Sequence, residues 1–383
     1  MAAATVSAST PALTRAEGGK LVTLFLTGDV MTGRGVDQVL PHPVSPRIYE
    51  RYAKSALDYV QLAERKNGRI RRPVPFEYIW GDALGELERR APDARIVNLE
   101  TAITTNDDHA PKGINYRMNP KNVRCLTALK VDCCVLGNNH VLDWGEAGCV
   151  ETLDVLGEAG ILTAGAGRTT AQATAPAVLQ TKRGRVLVFS FGSTTSGIPR
   201  SWGATSTRPG INLVTDLCES TARTIGAQIR ARRDRKDIVV ASIHWGGNWG
   251  YEVPPGQRAF AHALIDEAGV DIVHGHSSHH PKGIELHHGK PVLYGCGDFI
   301  NDYEGISGHG AYRGDLSLMY FVAMNRDTGR LERLEMVPMK MKRFRLHRAT
   351  REDAEWLRDT LAREGQKLGT GVTLTNEGTL EIT

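Results

Sequence analysis

Short apolar runs of strand length recur along this chain, and most of them stop at a ligand or acid–base side chain. LVTLFLT (21–27) runs into Gly28-Asp29, and ARIVNLE (94–100) carries Asn98 and Glu100. VDCCVLG (131–137) is followed by Asn138, Asn139 and His140. DIVVASIHW (237–245) contains His244, and VDIVHGH (270–276) leads through His276 to His279. Runs this rich in Val, Ile, Leu and Cys, with little polar alternation, read as strands buried on both faces. Charged or helix-periodic stretches lie between and after them, at 47–66, 81–91, 120–129, 146–156, 215–233, 256–267 and 352–363. Strand alternating with helix at this spacing predicts an α/β fold with a mostly parallel sheet. In such a sheet ligands bind beyond the carboxyl ends of the strands. Side chains far apart in the chain are therefore expected to gather along one rim.

Two segments break the alternation. AVLQTKRGRVLVFSFG (177–192) predicts a hairpin turning at Arg183-Gly184, and SLMYFVAM (317–324) with LERLEMVPM (331–339) predicts an antiparallel pair around Asp327–Gly329. The Gly-, Ser- and Thr-rich stretch 192–212 reads as a loop, and residues 1–20 read as a disordered leader without the basic and apolar regions of a secretion signal. No run approaches the ~20 apolar residues of a transmembrane helix. With 41% apolar and 23% charged residues the chain is not disordered as a whole. Forty-seven Lys and Arg against 43 Asp and Glu leave a net charge of only +4, and aromatics are 6%, which argues against a nucleic-acid surface. The six cysteines form no CxxC pair. Cys133 and Cys134 read as small core residues of a reducing, cytoplasmic compartment.

Seven of the thirteen histidines fall between 274 and 309. Imidazole is a good neutral metal ligand and titrates near neutrality. By itself the segment also fits a solvated polar loop. Combined with Asp29, Glu100 and Asn139 at other strand ends, it points to a metal site of borderline ligands, suited to Mn, Zn or Fe more than to Mg. Trp245, Trp249 and Tyr251 wall a pocket there or pack under a loop. Asp298 reads as a carboxylate supporting a ligand, and His280 as an outward neighbour.

LTGDVMTGRGVD (26–37), NLET (98–101), GNNHVLDWG (137–145), HWGGNWGYEVPP (244–255), AHALIDEAGVDIVHGHSSHHPKGIE (261–285) and VLYGCGDFI (292–300) match, in order and spacing, a known family. The chain resembles the CapA-type accessory proteins of capsule and poly-gamma-glutamate (polyglutamine) synthesis, within the calcineurin-like metallophosphoesterase superfamily. The resemblance implies a four-layer α/β/β/α sandwich over 21–345, with 346–383 as a C-terminal helix and tail. It implies one or two divalent ions held by Asp29, Glu100, Asn139, His244, His276 and His279, with His140 as a general acid. Asp143 then orients His140, or it caps the helix beginning near Glu146. Lys112, Arg117 and Arg208 are candidates for holding an anionic substrate such as polyglutamate; the alternative for each is a solvated surface charge. Membrane synthetase components are the implied partners, approached peripherally and without a transmembrane segment. Two positions depart from the family pattern. Met31 stands where the family has a histidine two residues after the first aspartate, and Ser277 falls where the first histidine of the closing pair belongs. A thioether is a poor ligand for a hard cation. Three functions follow as expectations: a metal-dependent enzyme beside polymer synthesis, a general phosphoesterase, or a non-catalytic polyanion-binding accessory protein.

Overall fold

The computed structural model of the chain describes residues 20–383, so the leader expected over 1–20 lies, apart from Lys20, outside the described residues. The chain first lays down four parallel strands in order, β1 (Leu21–Val30), β2 (Ala94–Leu99), β3 (Cys133–Val135) and β4 (Leu162–Ala164). Helices α1 (Leu57–Asn67), α2 (Ala83–Arg90) and α3 (Gly145–Glu158) lie in their connections. It then builds a second sheet. The expected hairpin forms as β5 (Ala177–Thr181) and β6 (Gly184–Ser193), followed by β7 (Ile238–His244), β8 (Ile272–His276), β9 (Ile284–His287) and β10 (Lys290–Leu293). Helices α4 (Glu219–Arg230) and α5 (Pro255–Asp266) precede β7 and β8, which run parallel to β6. The chain returns to the first sheet with β11 (Asp298–Ile300) beside the end of β1, then the antiparallel pair β12 (Leu316–Asn325) and β13 (Arg330–Met341). After α6 (Arg351–Gln366), β14 (Val372–Leu374) and β15 (Leu380–Ile382) extend that sheet beyond β13. The result is a mixed α/β fold with one ten-stranded and one seven-stranded sheet, joined by two small two-stranded ones.

Alternation along the strands sorts the core. Leu24 and Leu26 of β1 pack with Ile96, Val135, Val188, Val240 and Ile272, so this cluster draws on both sheets. Phe25 points the other way, into a cluster with Val97, Cys134, Leu87 and Cys149 that joins the first sheet to α2 and α3. Val239 and Ala241 of β7 pack on Ile225, Phe260 and Leu264 of α4 and α5. Successive side chains of a strand point to opposite faces, which is why neighbouring residues serve different clusters.

The helices expected over 47–66 and 120–129 form only in part. Over 47–66 only α1 is helical, and residues 47–56 fold back, with Ala56 N donating to Pro46 O at 2.6 Å. That fold-back delivers Glu50 to Arg34 at 2.8 Å inside the protein, a tertiary contact that outweighs local propensity. Over 120–129 a 3₁₀ turn (Pro120–Val123), capped by Asn119, precedes a short helix (Arg124–Ala128).

Candidate metal centre

The close of β1 needs Gly28. A Cβ there would lie 1.7 Å from Gly297 O, so no other residue lets the Gly297 backbone approach. The register of β1 against β2 shifts at this point, and Asp29 comes level with both Asn98 and Asp298. Asn98 Nδ2 donates to Asp29 Oδ1 at 2.7 Å, and Asn138 Nδ2 donates to Asn98 Oδ1 at 3.0 Å. Asn138 Oδ1 accepts from His140 N, which pins the turn after β3. A ladder of amides thus ties three strand ends of the first sheet together.

The second sheet faces it. β7 and β8 pair with Ser242 opposite His274 and His244 opposite His276. These four positions continue the row begun by Val240 and Ile272, which packs between the sheets, so they are buried. Asp29, Glu100 and His279 offer ligand atoms within 4.8 Å of one another, as do Asp29, His244 and His276. Glu100 Oε1 is 3.7 Å from His244 Nε2 and 3.5 Å from His140 Nε2.

Charge in this cluster is unbalanced. Burial, reinforced by Asp298, pushes the Asp29 carboxyl up to about 7, and burial with the nearby Asp29 raises Glu100 well above the usual carboxylate range. Among the described residues neither carboxylate pairs with a Lys or Arg. Four buried polar atoms also lack any hydrogen-bond partner: Asp29 Oδ2, Glu100 Oε2, Asn139 Oδ1 and His244 Nε2. Buried unpaired carboxylates and orphaned acceptors cost several kcal/mol unless something positive fills the gap between them. The grouped carboxylates and imidazoles of Asp29, Glu100, His244 and His279 are ligand types that suit a borderline divalent cation, and the Asn139 amide oxygen is a further acceptor without a partner.

The remaining expected residues fall in distinct places. His140 Nδ1 lies 2.5 Å from Asp143 Oδ2, Lys112 Nζ lies 2.8 Å from Asp143 Oδ1, and Lys112 also bonds the Asn139 carbonyl. The helix after Asp143 begins at Gly145 without a side-chain cap, so Asp143 holds His140 and not the helix. Burial, offset in part by Asp143, brings the His140 pKa down to about 4. His279 Nδ1 bonds Asp298 Oδ1 at 2.8 Å. Burial pulls its pKa down, but Asp298 and Asp29 outweigh this and leave it raised. His276 Nε2 contacts Ser242 Oγ and its Nδ1 contacts His244 Nδ1, so both ring nitrogens are engaged. Arg117 is buried against the Trp144 ring, with its guanidinium 3.8 Å from the ring centre, and donates to Asn106 O and Asp107. Arg208 donates to the Ser201 and Gly203 carbonyls. Neither arginine bonds the cluster. His280 is buried, contrary to its outward reading, and stacks on Tyr312.

Both departures from the family pattern have partners other than the carboxylates. Met31 Sδ meets the Tyr303 hydroxyl at 3.8 Å, and Ser277 Oγ donates to Gly246 O at 3.1 Å. Tyr303 itself had no signal in the sequence pattern. Its hydroxyl lies 3.5 Å from His279 Nε2 and 3.1 Å from the Tyr116 hydroxyl. Behind it Arg34 is buried among Glu50, Asp302 and the Tyr59 ring. A cavity of about 520 Å³ opens beside His279 and Tyr303, walled by Trp249, His309 and Asn301. Trp249, stacked on His309 at 3.9 Å, takes the wall role, whereas Trp245 is core and donates to Tyr294 O.

Comparison with known proteins agrees with this arrangement. Residues 23–303 match the family described as bacterial capsule synthesis protein PGA_cap. A probable polyglutamine synthesis accessory protein of Mycobacterium tuberculosis is 47% identical over 365 residues, covering 94% of this chain and 96% of that protein. The PGA biosynthesis protein CapA of Bacillus subtilis is 28% identical over 246 residues, covering 63% of this chain and 61% of its own. The capsule biosynthesis protein CapA of Bacillus anthracis is 24% identical over 282 residues, 73% of this chain and 60% of its own. With the family match spanning most of the chain, and the strand-end residues Asp29, Glu100, Asn139 and His244 all inside it, this protein belongs to the PGA_cap (CapA) family of bacterial capsule synthesis proteins.

Proposed function

We propose that this chain is an accessory protein of poly-gamma-glutamate (polyglutamine) or capsule synthesis that holds a divalent cation, Mn, Zn or Fe, and uses it in hydrolysis. The observation that carries this is the set of four buried lone-pair atoms without a hydrogen-bond partner on Asp29, Glu100, Asn139 and His244. Asp29, Glu100, Asn139 and His244 would hold the cation, with His279 beside them. When bound, such a cation polarises a phosphoryl or acyl oxygen and lowers the pKa of bound water. Asp143 orients His140 so that its Nε2 faces the cluster, where it exchanges a proton with the reacting oxygen. Lys112, anchored on Asp143, adds positive charge for an anionic substrate such as polyglutamate. Arg117 and Arg208 would act on substrate only by leaving their present partners.

The two-sheet core with helices on both outer faces supports a four-layer α/β/β/α reading of the fold. We take 21–345 as the CapA-type unit and 346–383 as its C-terminal helix and tail. Among the described residues no helix is long and apolar enough to cross a membrane. Free cysteines at all six positions support a cytoplasmic location, and membrane synthetase components are the partners we propose. Met31 and Ser277 favour a second reading, in which the chain binds polyanion without turning it over.

Elemental analysis of purified wild-type protein, N139A and H244A separates these readings. The proposal expects metal bound by the wild type and lost from both variants, with hydrolysis of poly-gamma-glutamate or a chromogenic phosphodiester abolished by chelation. A protein that stays metal-free after supplementation, and still binds polyglutamate, belongs to the second reading.

A further inference from the structure

The histidines at the second-sheet side of the cluster are joined in one buried chain of hydrogen bonds whose protons can be counted from one end. We propose that this chain sets the tautomer of His244, leaving Nε2 as a bare lone pair aimed at the cation site, and that His276 is a positioning residue and not a ligand. The inference rests on the metal-centre reading above and deepens it.

The count starts at the carbonyl oxygen of Thr27 on β1, which only accepts. His274 Nε2 lies 2.9 Å from it, so that nitrogen carries a proton. His274 is fully buried with no carboxylate partner, so its ring is neutral and Nδ1 is an acceptor. Ser242 Oγ, 3.0 Å from Nδ1, therefore turns its one proton toward His274. Its lone pairs then face His276 Nε2 at 2.9 Å, and that nitrogen must be the donor. In neutral His276 this makes Nδ1 an acceptor, and its partner at 2.8 Å is His244 Nδ1. His244 accordingly carries its proton on Nδ1. Its Nε2 is left unprotonated, buried and without a partner, 3.7 Å from Glu100 Oε1. The opposite polarity would require an imidazolium at His274, deep between the sheets.

Two consequences follow. His276 lies within ligand distance of Asp29 and His244, yet both its nitrogens are committed to the chain and none is free for a cation. His244 is held in the Nδ1–H form, whereas a free imidazole side chain prefers its proton on Nε2. Without the chain, His244 would present an N–H to the site and repel a cation. The device is built by strand register: Ser242 opposite His274 and His244 opposite His276, with the far end anchored on the other sheet at Thr27.

The test uses the metal-free full chain, labelled with 15N, and reads each ring's tautomer from its 15N–1H correlations, with H244Q serving to assign the signal. His244 is expected as Nδ1–H, and His274 and His276 as Nε2–H. Finding His244 as Nε2–H in the wild type overturns the proposal and needs no variant. S242A cuts the chain. It is expected to shift His244 toward Nε2–H and to weaken Zn2+ binding by about 10–100-fold, with S242T restoring both. S242A with unchanged tautomer and unchanged Zn2+ affinity also overturns it. A wild type with His244 as Nδ1–H that binds no Zn2+ refutes the metal centre and leaves the proton chain standing.

Discussion

Asp143 shows how three-dimensional partners choose between two uses of one side chain. Three residues before Glu146, it is well placed in sequence to cap a helix. In the folded chain its carboxylate accepts from Tyr116 N at 2.6 Å, touches Lys112 and meets His140 Nδ1. An imidazole held this way has a defined orientation and a defined free nitrogen. D143N keeps the shape but changes which groups donate, so hydrolysis should fall by about 10²-fold or more, while bound metal, measured by elemental analysis, stays at the wild-type level. Loss of metal from D143N would place Asp143 in the cation's support and not in proton transfer. At this scale Asp29, Glu100, Asn139 and His244 were legible as candidates because each stands at or just beyond the end of an apolar run. Tyr303 and Arg34 were not. A tyrosine in a polar loop and an arginine after a glycine carry no periodic signal, and only the fold brings them to His279 and Glu50.

Register is what elements contribute. A slip of one residue between β7 and β8 would turn His244 and His276 to the opposite face. Gly275 prevents such adjustment, because a Cβ there would meet the Leu293 carbonyl at 2.5 Å. The strand runs at 237–245 and 270–276 were legible from their apolar content. That their polar members Ser242, His244, His274 and His276 share one inward face was implicit in the alternation, but which partner each meets depends on pairing. The start of α6 makes a separate, testable case. Thr350 Oγ1 accepts from Asp353 N, and the Asp353 carboxylate takes Arg313 at 2.6 Å and Lys340 at 2.9 Å. Burial raises its pKa, but Arg313, Lys340 and Thr350 outweigh that and hold it down at about 2, against 3.8 for a free aspartate. A depressed carboxylate stabilises the fold above the unfolded value and loses that contribution as pH falls toward the folded one. D353N should therefore lower the urea midpoint at pH 6, and the gap from wild type should narrow as pH drops from 4 toward 2. A gap independent of pH would mean that the ion pairs contribute nothing.

Strands of the two large sheets share one apolar cluster, and the candidate ligands come from both sheets. Asp29, Glu100 and Asn139 belong to the ends of β1, β2 and β3, while His244 ends β7. A cation there would bridge the sheets at their common rim and bind the folded state alone. Mass action then makes it a stabiliser, by about 2.7 kcal/mol at a hundredfold excess over Kd. Thermal unfolding should shift upward with added Zn2+ or Mn2+, return on chelation, and show no shift in H244A. An equal shift in H244A would place the ion elsewhere, for example at the surface group of Asp266, His287 and His288.

By itself the sequence determined the α/β class of the fold and named candidates for holding a cation. Both are written locally, in apolar runs of strand length and in the polar residue that ends each one. Only the tertiary structure decided which strands pair in which sheet and that residues 47–56 fold back instead of joining a helix. It also decided which partners Arg117 and Arg208 meet and that the ring nitrogens of His276 contact Ser242 and His244. Those outcomes depend on contacts between residues from five to more than thirty positions apart, and periodicity along a chain carries no record of which partner will be met.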